Sequence, residues 1–164
     1  MINYNENNEG MRTATAVKYA NKYLVQGHPF YDHYTSPQFV GFKPDMADTN
    51  LMNIILLMSG YIVSGQIAVK HWKPWNRWTK AIAMTKGKSI NLNVRRMYRP
   101  TGSILNTIVH ETVHIVDSHH SYTFGHGSND PTGKSKTAPY LIGKLAEEYY
   151  ETGKLYSYNE LYAL

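Results

Sequence analysis

Residues 104–118 have the least freedom of fold in this chain. Leu105, Ile108, Val109, Val113 and Val116 recur at the three- and four-residue spacing of a helix buried along its apolar faces. Pro100, Thr101, Gly102 and Ser103 break the chain just before this run and can cap a helix. Inside the run stand His110, Glu111, Thr112, Val113 and His114. Residues four apart on a helix lie nearly one above the other, so His110 and His114 project from one face and can share a metal ion. Glu111 lies beside that face without being a ligand. A carboxylate there can take a proton from a metal-activated water and later pass it to a leaving amine. With eight His and seven Glu in 164 residues, chance would produce the spacing only about 0.016 times, so coincidence is a poor account of it.

The chain has no cysteine, which excludes disulfide scaffolding, thiolate-held zinc and thiol catalysis. Any metal must be held by His, Asp or Glu, and an all-histidine site in this motif favours zinc. At 164 residues, with 42% apolar and 18% charged content, a single domain spanning 1–164 with a real core is expected. The most apolar stretch, 51–63, contains Asn53, Ser59 and Gly60 and is shorter than the ~20 residues that span a bilayer. Residues 1–10 are polar and acidic, unlike a secretory signal, and read as a flexible arm. A cytoplasmic location without membrane association is the expectation.

Elsewhere, periodicity predicts a helix over 11–25, with Met11, Ala14, Val17, Ala20 and Leu24 on one face. Residues 27–48 read as irregular, with a short strand at 38–42. Residues 49–59, behind an Asp48–Thr49 cap signal, read as a buried helix. A strand is expected over 66–72. Two alternating runs, 79–85 and 89–95, flank Lys86, Gly87 and Lys88 and predict a hairpin. In the second run Ile90, Leu92 and Val94 face one way. Ser89, Asn91, Asn93 and Arg95 face the other, a polar face suited to a sheet edge. Residues 121–138 read as a loop, 139–152 as a second helix ended by Gly153, and the tail as a last short turn.

The order hairpin, edge strand, HExxH helix, loop and second helix, over roughly residues 49–152, resembles the zincin metallopeptidases in minimal form. The resemblance implies an α+β, single-domain zincin-like fold, with a short mixed sheet whose edge strand lies beside the HExxH helix, plus backing and C-terminal helices. It also implies a zinc-dependent peptidase acting on a peptide or protein substrate. Residues 89–95 would then be the edge strand that pairs with substrate, His110 and His114 the first two Zn2+ ligands, and Glu111 the general base.

Three candidates stand for the third ligand. His120, six residues after His114, resembles the metzincin pattern HExxHxxGxxH, but Asp117 stands where that pattern has its glycine. Glu147 or Glu148 would match a gluzincin glutamate on a downstream helix. His126 is preferred: Gly125 and Gly127 let the backbone fold close to a metal, and the GHG loop resembles the SprT/Spartan-like proteases. Asp117 is read either as a hydrogen-bond acceptor for a ligand imidazole or as a helix-end cap or partner of a surface base. Tyr122 and Tyr140 are candidate donors to an oxyanion. His28, His33, His71 and His119 are read as structural or surface residues.

Residues 70–80 interleave Lys70, Lys73, Arg77 and Lys80 with Trp72, Trp75 and Trp78. Such a stretch can bind nucleic acid weakly by stacking and phosphate contacts, and the SprT/Spartan-like resemblance implies a nucleic-acid tether. The favoured reading is that the tryptophans anchor the loop on the core, where large aromatics are mostly used. A non-catalytic protein stabilised by its metal is the remaining alternative.

Overall fold

Apolar patterning of period 3.6 in four long segments, and alternation in three short ones, produces a small α+β domain. The computed structural model describes residues 1–4, 10–45, 47–76, 78–122, 124 and 136–164. The long helices are α1 (Met11–Tyr23), α3 (Leu51–Val63), α4 (Thr101–His120) and α5 (Ala138–Thr152), with shorter α2 (Pro29–Tyr34) and α6 (Tyr158–Ala163). The strands are β1 (Asn3–Tyr4), β2 (Ala68–Trp72), β3 (Ala83–Lys86) and β4 (Ser89–Asn93). They form one mixed sheet in the order β1-β2-β4-β3. β2 runs parallel to β1 and β4, and β3 is antiparallel to β4.

Local chemistry sets most boundaries. The cap of α3 is Asn50, whose side chain accepts from the Asn53 N–H at 2.9 Å, rather than Asp48 or Thr49. Leu51, Ile54, Ile55, Met58 and Ile62 are buried, and the helix runs four residues beyond its expected end at 59. α5 ends at Gly153 in the left-handed region (φ 71), as glycine allows there. No helix among the described residues is long and apolar enough to cross a membrane.

Three expectations need correction. Residues 38–42 are not a strand: Pro37–Phe39 is a 3-10 turn, and Pro37 has no N–H to give to a ladder. Residues 3 and 4 of the expected arm pair with Ala68 and Val69 as β1. Most important, the run 89–95 is not the sheet edge. β4 is paired on both sides, Val69 opposite Ile90 and Thr85 opposite Ile90 from the other neighbour, and the outer strands are β1 and, beside α4, β3. β4 also stops at Asn93, because the Asn93 carboxamide turns the chain. Its Oδ1 accepts from Arg95 N–H at 3.0 Å, and its Nδ2 donates to the Ala81 carbonyl at 2.8 Å.

α4 is the central element. Its residues Ile104, Leu105, Ile108, Val109, Val113, Ile115 and Val116 are buried, and it packs on α1, α3, α5 and β3. The contacts of its first half with α5, Asn106 with Glu147 and His110 with Tyr140, make α4 and α5 antiparallel neighbours. A second cluster of aromatic side chains, Tyr23, Phe30, Tyr34 and Phe39, closes the core beneath α2.

Candidate metal centre

The helical spacing of His110 and His114 does what it promises. Both imidazoles are half-buried on one face of α4, with Nε2 of one 3.2 Å from Nε2 of the other. A tetrahedral zinc with Zn–N bonds of about 2.0–2.1 Å separates two of its nitrogen ligands by roughly 3.3–3.4 Å. The pair therefore fits two corners of a zinc site. The same distance accommodates an N–H···N hydrogen bond between two neutral rings, so the fit is necessary to a metal site and not unique to one. Tyr140, from the first turn of α5, stands edge-on to His110 with ring centroids 4.7 Å apart.

Glu111 is 8% exposed and turned toward the sheet. Its Oε2 accepts from the Thr85 hydroxyl at 2.5 Å, a contact that crosses 26 residues of chain. Burial pushes the Glu111 carboxyl above the usual carboxylate range, and the Thr85 hydrogen bond pulls partly against that. Thr85 belongs to β3, so the edge strand and the carboxylate are joined directly. The sequence offers no signal for Thr85: it is one of several polar positions in an alternating run, and its partner depends on sheet order.

The alternative third ligands are engaged elsewhere. α4 continues through Asp117 to His120, where Ser121 at φ 56 ends it. His120 is exposed and its ring stacks with Tyr122 (5.7 Å, 18°) and meets Tyr61 edge-on. Glu147 accepts from Asn106 Nδ2 at 2.7 Å, and Glu148 pairs with Lys144 at 3.5 Å. Among the described residues no third His, Asp or Glu joins the imidazole pair. His126 lies outside the described residues. Asp117 Oδ1 accepts from the Phe124 N–H at 3.4 Å, which ties the end of α4 to the chain that leaves it. Tyr122 lies between His120 and Phe124, which leaves Tyr140 as the tyrosine at the pair.

The remaining histidines hold structure. His28 Nδ1 caps α2 by accepting from Phe30 N–H at 3.2 Å, His33 Nε2 lies 2.9 Å from the Tyr156 carbonyl, and His119 Nδ1 lies 2.8 Å from the Ile115 carbonyl. His71 Nε2 lies 3.3 Å from the Thr13 hydroxyl. No protein-family model, curated protein or solved structure matches this chain. Fold class does not by itself carry a function, so the chemistry of the site has to.

Proposed function

We propose that this chain is a zinc-dependent peptidase of the zincin kind, in the SprT/Spartan-like form, with His110, His114 and His126 holding the ion. The observation that supports it most is the approach of the His110 and His114 Nε2 atoms to 3.2 Å on one face of α4, with buried Glu111 next in the chain to His110 and bonded to Thr85. When bound, zinc supplies Lewis acidity to a scissile carbonyl and acidifies a water. Glu111 takes the proton from the attacking water and returns it to the leaving amine. Its burial favours holding a proton, the Thr85 hydroxyl favours releasing one, and the opposed influences suit a group that must do both. β3, at the end of the sheet and bonded to Glu111 through Thr85, is the edge offered to an extended peptide. Tyr140 beside His110 is the donor assigned to the developing oxyanion.

Elemental analysis of the purified protein tests the centre. About one zinc per chain is expected, lost in His110→Ala and His126→Ala and kept in His120→Ala. Glu111→Gln should keep zinc and fold while cleaving unfolded casein at least ~100-fold more slowly. A protein that neither holds zinc nor takes it up would leave the imidazoles as a hydrogen-bonded pair and end this reading. Full activity in Glu111→Gln would end the mechanism.

A further inference from the structure

The charge of the chain is segregated. Nine of the 17 basic residues and none of the 12 acidic ones lie between Asp48 and Glu111, so that segment carries +9 and the rest −4. It includes β3, the strand bonded to Glu111, and both of its flanks. At the Ala83 end of β3 opens a cleft of about 570 Å³, lined by Lys80, Ile82, Arg95, Arg96, Tyr98 and Arg99. Lys86 stands exposed at the other end of the strand. None of the residues lining the cleft is a carboxylate. Glu147, near enough to Arg99 to act on its charge, is turned to Asn106.

The cleft is built around Asn93, which is fully buried. Its N–H donates to the Ile82 carbonyl at 2.9 Å and its Nδ2 to the Ala81 carbonyl, while its Oδ1 accepts from Arg95 N–H. One residue therefore clamps the segment that carries Lys80 to the turn that carries Arg95 and Arg96. Arg99 closes the base. Its Nε donates to the Arg96 carbonyl at 2.8 Å and its Nη1 to Thr107 Oγ1 at 2.9 Å, while its buried Nη2 has no hydrogen-bond partner among the described residues. Lys80, Arg95 and Arg96 are exposed and form no ion pair among the described residues. The loop leading to Lys80 carries Trp75, fully exposed, and Trp78, 75% exposed. These two tryptophans do not anchor the loop on the core, which corrects the packing expectation for them.

Resting on the peptidase reading, we infer that this cleft is a specificity site and that the preferred substrates are acidic peptides. β3 leads directly into it. A chain paired along β3 advances about 3.3 Å per residue, so its residues just past Ala83 come alongside Ile82 and Lys80. Carboxylate side chains there meet an ammonium and two guanidinium groups that lack an internal counter-charge. Basic side chains at the same positions meet like charge, so the cleft rejects as well as selects. Ile82, 43% exposed, offers apolar contact to the stems of those side chains. A polynucleotide carries the same sign of charge but has no backbone amides to continue the sheet. A peptide is the occupant that uses both the strand and the cleft.

The test uses internally quenched peptides that share one uncharged centre and carry aspartate, asparagine or lysine on both flanks. With the zinc-loaded protein, kcat/KM should be about 10-fold higher for the aspartate peptide than for the asparagine one, and the gap should narrow as salt rises. The lysine peptide should be the poorest. Arg95→Glu with Arg96→Glu should invert the order of the aspartate and lysine peptides. Lys18→Glu with Lys43→Glu, an equal charge change on exposed residues elsewhere, should preserve it. Thermal melting like that of the unaltered protein checks that both double variants fold. Fluorescence anisotropy of the labelled peptides with Glu111→Gln reads the same preference without turnover. Cleavage and binding without a charge preference would overturn this inference and leave the peptidase standing. No cleavage of any peptide, with the aspartate peptide still bound most tightly, would overturn the peptidase and leave the cleft an acidic-peptide site. An unchanged order in the Arg95→Glu, Arg96→Glu variant would overturn the assignment of the cleft. So would displacement of the bound peptide by oligothymidine at lower concentration than by unlabelled peptide.

Discussion

Thr85 and Glu111 show how much one hydroxyl contributes when its partner is out of water. The Glu111 carboxylate is buried and Thr85 is its hydrogen-bond donor, at 2.5 Å. Thr85→Val keeps the β-branched shape that suits a strand and removes only the donor. Leaving a buried acceptor short of its partner costs about 1–3 kcal/mol, so the urea midpoint should fall with the m-value unchanged. An unmoved midpoint would mean that another group or water replaces Thr85. Asn93 plays a comparable part at the end of β4: buried, it ends the strand by bonding Ala81 and Arg95 at once.

At the scale of elements, the antiparallel pair α4–α5 carries the candidate centre, and Gly143 sets how closely the helices meet. A Cβ at Gly143 would lie 2.9 Å from the Asn106 carbonyl oxygen and would also strike the Asn106 side chain. Ala normally gains about 1 kcal/mol over Gly inside a helix. Overpacking costs about 1–3 kcal/mol, and a backbone carbonyl inside α4 cannot rotate away. Gly143→Ala is therefore expected to destabilise, read as a lower urea midpoint. A raised midpoint would show that α5 has room to retreat. Asn106 also donates to Glu147, so the same substitution disturbs the contact that holds Glu147 away from the imidazole pair.

At the scale of the whole molecule, the buried phenols link stability to alkaline pH. Burial, then the neighbouring tyrosines, push the Tyr23 hydroxyl up to about 12, and burial pushes Tyr34 up as well. A raised pKa means that the folded state keeps a proton which the unfolded chain gives up at the ordinary tyrosine value near 10. That stability is fully present below pH 10 and is lost as pH rises from about 10 toward 12. Melting temperature should fall through that window, and Tyr23→Phe should make the fall shallower. An identical slope in Tyr23→Phe would remove Tyr23 from the account.

What the sequence determined by itself is what neighbours within a turn or two decide. The helices α1, α3, α4 and α5 begin within about three residues of where periodicity and capping place them, because helical bonds join residues four apart. The convergence of His110 and His114 belongs to the same class, since one turn of helix brings them together. Gly87, at φ 56, marks the hairpin for a similar local reason. Tertiary structure alone decided which strand lies at the edge. Polar side chains on 89–95 describe a face, whereas edge status depends on β2 pairing with β4 across the intervening hairpin strand. It also decided that α4 runs on to His120, that Trp75 and Trp78 stand in solvent, and that Thr85 meets Glu111. Each of these depends on packing between segments far apart in the chain, and no local pattern carries that information.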